Sequence, residues 1–438
     1  MKVTIYKENY MRVKWLKYNF LYLVLLVLLF PGERALSEIK SSDTSLTSEE
    51  RTLSKIKPFI FGVSGTSLTP EERTLFLKNP VHGFILFGRN IENPEQLKQL
   101  VKELKSLYKH DILIFVDQEG GRVARLKPPM VAQEYPAAAE FGKIYEKDAK
   151  EAKEKVFENY SNIMKGLNQY GINSPCSPDA DLTHPYTNGI IGNRSFGSSV
   201  DQVVELCTKA IEAINAQNGI ATMKHIPGHG RATLDSHRQL PRVTASLTEL
   251  NDTDFAVFRQ LAKIFENNKA VWSMVAHIVF EAMDTKLPVS LSPTGIKFIR
   301  EKIGFKGTLV SDDICMGALH NEIDPKYLAI ISILRKYPTT NTLTKISNED
   351  LQELINYGVV KDISDNTGLK DFFVQSSELK MKFIKSLVKV VKQIIAIDNS
   401  YMVLHCSGDI EEMAAICDVD MPADMVSCVE EVSKTREK

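Results

Sequence analysis

Lysine, histidine and aspartate side chains suited to chemistry are concentrated in one short stretch of this chain. Lys224 and His225 follow the apolar run 219–223, which is typical of a buried strand, and the glycines and proline after them end that strand. Asp235 and His237 lie further along the same loop. Histidine suits proton transfer near neutral pH. The stretch therefore predicts polar groups at a strand end and a proton-transfer pair on a movable loop.

Asp312 is the candidate nucleophile, because it directly ends the apolar run 307–311. A carboxylate held at a strand end can attack a sugar carbon and form a covalent glycosyl intermediate. Sugar hydrolases usually add a second carboxylate as acid/base. Here His237 would take that role, with Asp235 two residues earlier orienting its ring.

Apolar strand patterns alternate with helical patterns along most of the chain, and the helical pattern 377–397 precedes the last strand. The predicted strands are 59–63, 83–87, 112–116, 171–176, 219–225, 271–277, 307–312 and 400–406. This alternation predicts an α/β fold, a (β/α)8 TIM-type barrel, with an open doubly wound sheet as the alternative. No Gly-x-Gly-x-x-Gly motif follows an early strand, which argues against a dinucleotide site.

Polar residues recur where these predicted strands end. They are Asp117, Lys224, His225, His277 and Asp312. The carboxyl ends of the strands form one face of such a barrel, and that face carries the chemistry. We therefore expect these side chains to meet around one site.

The chain divides into segments of different composition. Basic residues precede the apolar run 20–30, so residues 1–37 are predicted to be a signal peptide or membrane anchor, and this run could contact a membrane. Residues 38–56 form a polar linker. Residues 57–438 form the catalytic barrel, with an inserted helical segment at about 320–375 before the last strand.

Composition excludes some classes of protein. The chain of 438 residues has 54 basic and 55 acidic residues, so it lacks the basic excess of a nucleic-acid-binding protein. Its six cysteines include no Cys-x-x-Cys pair, which argues against a disulfide framework and a zinc ribbon.

Five motifs, in this order, resemble the bacterial β-N-acetylglucosaminidases (β-hexosaminidases) of glycoside hydrolase family 3. The matching segments are 117–123 (DQEGGRV), 191–197 (IGNRSFG), 224–230 (KHIPGHG), 235–237 (DSH) and 311–313 (SDD). The resemblance covers roughly residues 57–320, and five ordered motifs make it specific.

The resemblance implies that Asp312 is the nucleophile and that His237 with Asp235 is the acid/base pair. It also implies that terminal N-acetylglucosamine is bound by Asp117, Arg125, Arg194, Lys224 and His225. The implied enzyme is a retaining exo-glycosidase that needs no metal or cofactor and acts on cell-wall glycans of the muropeptide type. We expect a monomer. The resemblance suggests a cytoplasmic protein, whereas the N-terminal apolar run suggests export or inner-membrane anchoring.

Three other functions remain open at this point. A zinc hydrolase could use His225, His229, His237 and Asp235 as ligands, although the intervening proline and glycines give a poor cage. A barrel that binds wall glycans without turnover is the second alternative. An N-acetylglucosaminide phosphorylase is the third, because a neutral histidine does not repel phosphate as a carboxylate would.

Overall fold

The computed structural model describes residues 56–186, 190–320, 366–398 and 401–420, with the single positions Ser347 and Gln352; in 366–398, side chains are described from Lys380 onward. The predicted signal or anchor segment, almost all of the linker and most of the predicted insertion lie outside these residues. Within the described part, no helix combines the length and hydrophobicity needed to cross a membrane.

Twelve strands occur in the described residues. They are β1 Lys57–Gly62, β2 Val81–Leu86, β3 Leu113–Val116, β4 Gln118–Gly120, β5 Val123–Ala124, β6 Ser174–Pro175, β7 Ala221–Ile226, β8 Arg242–Val243, β9 Val271–Val275, β10 Val279–Phe280, β11 Leu309–Ser311 and β12 Tyr401–His405. Eight of them form one sheet in the order β6-β3-β2-β1-β12-β11-β9-β7. The pairs within this sheet are parallel.

The extended segment after β6 joins the two ends of this sheet. The N–H of Ala180 donates to the carbonyl of Lys224 at 2.7 Å, and the N–H of Lys224 donates to the carbonyl of Pro178 at 3.1 Å. Asp179 and Lys224 form a parallel bridge. The predicted (β/α)8 barrel is therefore confirmed, and the open-sheet alternative is wrong.

Helices connect the barrel strands. They are α1 Pro70–Lys78, α2 Pro94–Lys105, α3 Ala138–Tyr145, α4 Ala149–Asn168, α5 Val200–Ala216, α6 Leu247–Asp252, α7 Asp254–Ile264, α8 Pro293–Phe298, α9 Asn366–Ile395 and α10 Ile410–Cys417. Helix α1 begins with a capping box: Thr69 Oγ1 accepts the N–H of Glu72 at 3.1 Å, and Glu72 Oε2 accepts the N–H of Thr69 at 2.9 Å. Asn93 caps α2 through the N–H of Gln96 at 2.9 Å.

The strands are apolar throughout because both of their faces are buried. In β1, Phe59 and Phe61 belong to the large core that includes the helices, whereas Ile60 belongs to a second apolar cluster. This second cluster takes side chains from several strands and includes the fully buried Trp272. Alternate residues thus fill the two sides of the barrel wall and hold the strand ends in fixed positions.

Two details differ from the expectations. β6 is shorter than the predicted strand 171–176, because Pro175 and Pro178 have no N–H group to donate to a ladder. Helix α9 begins at Asn366, before the expected start at 377 and within the predicted insertion.

Candidate active site

A cavity of about 350 Å³ is lined by all eight residues to which the family resemblance gave a catalytic or sugar-binding role. Its lining includes Asp117, Arg125, Arg194, Lys224, His225, Asp235, His237 and Asp312. Asp117 and Asp312 directly follow β3 and β11, and Lys224 and His225 belong to the last three residues of β7. The apolar part of the lining includes Phe87 and Met316.

Asp312 follows β11 and is fixed by its own backbone. Its N–H donates to the carbonyl of Val275 at 3.2 Å, and its Oδ1 accepts the N–H of Asp313 at 2.8 Å. Burial favours the neutral acid, but His225, His277 and His237, with that N–H, outweigh burial and lower the pKa of Asp312. Asp312 is therefore a carboxylate at neutral pH, as nucleophilic attack requires.

His237 and Asp235 form a pair in the loop after β7. The Nδ1 atom of His237 lies 2.8 Å from Asp235 Oδ1, and the same oxygen accepts the His237 N–H at 2.9 Å. The His237 side chain is 69% exposed. With Nδ1 engaged by the carboxylate, Nε2 is left to exchange protons with a bound molecule.

The backbone of Ser236 and His237 is hydrogen-bonded to the segment that follows Asp312. Gly317 donates its N–H to the carbonyl of His237 at 2.9 Å, and Ala318 donates to the carbonyl of Ser236 at 3.1 Å. The hydroxyl of Ser236 lies 3.1 Å from Nε2 of the buried His229. These contacts fix the base of the loop, whereas the His237 ring stays exposed.

Another part of the cavity lining belongs to a network of charges centred on Lys224. Its Nζ lies 3.1 Å from Asp117 Oδ1 and 2.7 Å from Glu119 Oε1. Arg125 binds the other oxygen of Asp117 at 2.8 Å. Burial alone would lower the pKa of Lys224, but Glu119 and Asp117 raise it well above its usual value. The ammonium group is therefore a permanent donor beside the cavity.

Arg194 holds Glu119 from the other side. Its Nε and NH2 atoms donate to the two carboxylate oxygens of Glu119, each at 2.8 Å, and its NH2 lies 3.3 Å from Asp179 Oδ2. This bidentate pairing has the geometry that makes arginine–carboxylate contacts strong. Against the effect of burial, Arg194 and Lys224 lower the pKa of Glu119 to about 2.

Asp181 positions His225. Its Oδ2 lies 2.6 Å from His225 Nδ1, and its Oδ1 accepts the backbone N–H groups of His229 at 2.6 Å and of His225 at 3.3 Å. Burial lowers the pKa of His225 to about 4, so its ring is neutral at pH 7. The peptide between Lys224 and His225 is cis, and the pairing of β7 with β9 shifts register between Lys224 and Ile226.

Sequence reasoning missed the connecting acids of this site. Glu119 lies in a quoted motif and Asp181 follows β6, but their partners Arg194, Lys224 and His229 are distant in the sequence. The one sequence signal for these two acids is that each follows the carboxyl end of a predicted strand. His277, expected with the others, is buried outside the cavity lining; its Nε2 lies 3.2 Å from the carbonyl of Asp313.

The ligands proposed for a zinc hydrolase make separate contacts. His225 pairs with Asp181, His229 contacts Ser236 and His237 pairs with Asp235. Among the described residues, the groups whose ligand atoms converge are Cys315 with His405 and Glu412, and Asp179 with Asp181 and His225. The histidine cage of the zinc-hydrolase alternative is therefore not the arrangement that the fold brings together.

Curated proteins that are similar to this chain include two β-hexosaminidases. A β-hexosaminidase of Neisseria meningitidis serogroup B is 37% identical over 238 residues, which are 54% of this chain and 64% of that protein. A β-hexosaminidase of Alkalilimnicola ehrlichii is 34% identical over 262 residues, which are 60% of this chain and 73% of that protein. The match thus spans less than two thirds of the Neisseria relative.

Solved structures share the fold. NagZ from Neisseria gonorrhoeae, in complex with zinc ion, superposes with a TM-score of 0.60 at 26% identity and covers 86% of this chain and 90% of that one. A family 3 β-N-acetylglucosaminidase from Paenibacillus gives a TM-score of 0.63 at 24% identity, over 90% of this chain and 63% of that one, which is a likeness of fold alone.

The family itself is settled by the extent of the match along this chain. Residues 53–331 match the model described as the glycosyl hydrolase family 3 N-terminal domain. That segment spans more than half of the 438 residues and contains all eight residues assigned to the site. The chain belongs to glycosyl hydrolase family 3.

Proposed function

We propose that this protein is a retaining exo-β-N-acetylhexosaminidase that removes terminal N-acetylglucosamine through a glycosyl-aspartate intermediate. The observation that carries the proposal is that an ionised strand-end carboxylate, Asp312, and a loop-borne His–Asp pair, His237 with Asp235, line one cavity. These are a nucleophile and a proton-transfer group around one space.

In the first step, a carboxylate oxygen of Asp312 attacks the anomeric carbon of the bound sugar. The glycosidic bond breaks, and the departing oxygen takes a proton from Nε2 of His237. Asp235 stabilises the imidazolium that carries this proton and keeps Nδ1 turned toward itself, at 2.8 Å. The products of the step are a free aglycone alcohol and a sugar ester of Asp312.

In the second step, the neutral His237 accepts a proton from a water molecule as this water attacks the anomeric carbon. The ester bond to Asp312 breaks, and the carboxylate is restored. Two displacements at one carbon return the original anomeric configuration. The exposure of His237 favours this role, because the ring can meet first the leaving group and then water.

The cavity supports removal of single sugars from a chain end. Its volume of about 350 Å³ lies at the small end of the range of roughly 300–1,000 Å³ for ligand pockets. Asp117 can accept hydrogen bonds from sugar hydroxyls, and Lys224 and Arg194 can donate them. Their mutual ion pairs hold these groups in position before the substrate binds.

The choice of N-acetylglucosamine rests on family membership and on relatives that are called β-hexosaminidases. We infer that the natural substrates are cell-wall fragments in which this sugar is linked to a muramic residue. Release of N-acetylglucosamine from purified muropeptides, followed by mass spectrometry, tests this part separately from the chemistry.

The main experiment is acid-quenched mass spectrometry of the full chain during turnover of 4-nitrophenyl β-N-acetylglucosaminide. We expect one N-acetylhexosaminyl group added to the peptide that contains Asp312. Asp312→Asn should lose both this adduct and turnover, whereas the exposed Asp252→Asn should keep both. An adduct elsewhere, or full activity of Asp312→Asn, would disprove the nucleophile assignment.

The same reaction separates hydrolysis from phosphorolysis. We expect the sugar product in phosphate buffer to be N-acetylglucosamine, at a rate equal to that in a buffer without phosphate. Formation of the sugar-1-phosphate would instead support the phosphorylase. An intact, folded protein that binds the sugar without any release of nitrophenol would support the binding-barrel alternative.

A further inference from the structure

A second cluster of reactive side chains lies beside the cavity and has no role in the proposed reaction. Cys315 is in the segment after Asp312, His405 ends β12, and Glu412 is in the first turn of α10. One ligand atom from each of the three lies within 4.8 Å of the others. We propose that Cys315, His405 and Glu412 bind a divalent cation of the zinc type, as a site that stabilises the structure.

The contacts converge on one carboxylate oxygen. Glu412 Oε2 lies 3.0 Å from His405 Nε2 and 4.0 Å from the Cys315 sulfur. The Ser407 hydroxyl donates to the same oxygen at 2.7 Å and lies 3.2 Å from His405 Nε2. Ligands of a tetrahedral zinc stand about 3–4 Å apart, which follows from bond lengths of roughly 2.0–2.3 Å.

The ligand types and their burial select the kind of cation. His405 and Glu412 are 0% and 1% exposed. A thiolate with an imidazole suits zinc, whereas calcium and magnesium prefer oxygen ligands only. One thiolate and one carboxylate also balance a charge of two, which removes the cost of a buried net charge. Ser407 or a water molecule completes the fourth position.

The other group of converging ligand atoms, from Asp179, Asp181 and His225, has different chemistry. Both oxygens of Asp181 already accept N–H groups of His225 and His229, and Arg194 lies 3.3 Å from Asp179. A cation there would have to displace an arginine. The Cys315 group contains a sulfur ligand, which the Asp181 group lacks, so the proposal concerns the Cys315 group alone.

A cation here would link three segments that hold Asp312. Asp313 Oδ1 accepts the N–H groups of Cys315 at 3.0 Å and of Cys406 at 3.1 Å. Asp313 in turn donates its own N–H to Asp312. Fixing Cys315 to His405 and Glu412 therefore fixes the backbone on which Asp312 is carried. The cation would contribute stability and no step of the reaction.

Cobalt(II) titration of the full chain tests the proposal, because cobalt reports a bound thiolate by its absorption. We expect a thiolate-to-cobalt charge-transfer band that saturates at one equivalent and disappears when zinc is added. Cys315→Ser should abolish the band. Cys406→Ser, which changes the neighbouring cysteine that lines the substrate cavity, should keep it.

Two further variants control for folding and for other cation sites. Glu412→Gln keeps the hydrogen bond to Ser407 and should weaken cobalt binding by at least roughly tenfold. His237→Ala removes the exposed imidazole of the loop and should leave the band unchanged. Zinc should raise the melting temperature of wild type and of Cys406→Ser, but not of folded Cys315→Ser. A wild-type protein without the band, or a band that survives in Cys315→Ser, would overturn the proposal.

Discussion

The carbonyl oxygen of His237 accepts the N–H of Gly317 at 2.9 Å, which ties the proposed acid/base loop to the segment after Asp312. A side chain at position 317 would not fit this contact. A Cβ atom there would lie 2.5 Å from the Arg238 carbonyl oxygen and 2.8 Å from that of His237. The proposed nucleophile and proton donor are thus set relative to each other by a backbone contact that only glycine permits.

Gly317→Ala should therefore displace the loop and lower kcat by about a hundredfold, with a smaller change in KM. The ion pairs of the proposed sugar-binding residues Asp117, Lys224 and Arg194 do not involve this loop, which is why KM should change less. Steady-state kinetics with a natural disaccharide measure both constants. Gly65→Ala is the matched control, because no atom lies within 4 Å of a Cβ there. Wild-type kinetics in Gly317→Ala would show that the loop position is not critical.

The effect of His237→Ala on the hydrolysis rate should depend on the leaving group. General acid catalysis contributes roughly 10²–10⁴-fold, and a nitrophenolate departs without it. Hydrolysis of a disaccharide should fall by that factor, while the first step with the nitrophenyl substrate should be nearly unchanged. Rapid mixing should then show a burst of nitrophenol followed by slow turnover. Equal slowing of the first step for both substrates would exclude His237 as the acid.

Asp235→Asn should give the same pattern more weakly. The amide can still contact Nδ1 of His237, now 2.8 Å from the carboxylate, but it no longer stabilises the imidazolium. With a poor leaving group, we expect a hydrolysis rate between the rate of wild type and the rate of His237→Ala. Brønsted plots over a series of aryl leaving groups measure it. A variant as impaired as His237→Ala with every leaving group would give Asp235 a role beyond orienting the ring.

Glu119→Gln should destabilise the fold, because it leaves Arg194 and Lys224 partly unpaired in a buried site. Removing one partner of a buried ion pair costs about 3–5 kcal/mol in the free energy of unfolding. Urea unfolding at pH 7 measures this loss. Glu140→Gln breaks an exposed pair with Lys143 and should cost about 0–1 kcal/mol.

The loss of stability in Glu119→Gln should depend on pH. In the folded protein the pKa of Glu119 is lowered to about 2 from its usual value of 4.5, which applies to the unfolded chain. Between these values the unfolded chain binds the proton and the folded chain does not, so the stabilisation is present above about pH 4.5 and is lost as the pH falls toward 2. The difference between wild type and Glu119→Gln should shrink over this window. A constant difference would contradict the assigned pKa.

Much of the barrel could be predicted because each strand is an apolar run that is buried on both faces. β6 is the exception: its prolines shorten the ladder, and its closing bonds come from backbone groups that carry no sequence pattern. The start of α9 was misjudged because residues 366–376 mix polar residues and a glycine with the apolar Leu369, Phe372, Phe373 and Val374, and such a mixture does not by itself end a helix.

The same contrast holds for the site. Asp117, Lys224 and Asp312 could be found because each lies within one residue of the end of a predicted apolar strand. Glu119, Asp181 and the Cys315–His405–Glu412 group were missed, since their roles depend on partners that only the closed barrel brings near. The sequence predicts which strand end a side chain occupies. Its hydrogen-bond and ion-pair partners depend on how the barrel closes.

The exposure of His237 has a consequence for the evolution of this scaffold. Asp312 and the charged network belong to the barrel, whereas the proposed proton donor, His237, exposes its ring on a connector that is held by the ion pairs of Arg231 and by the carbonyls of Ser236 and His237. The proposed proton donor and the sugar-binding residues can therefore change separately. Exchange of residues 233–240 for a segment with the same backbone contacts would alter which aglycones leave, while the sugar that is accepted stays the same.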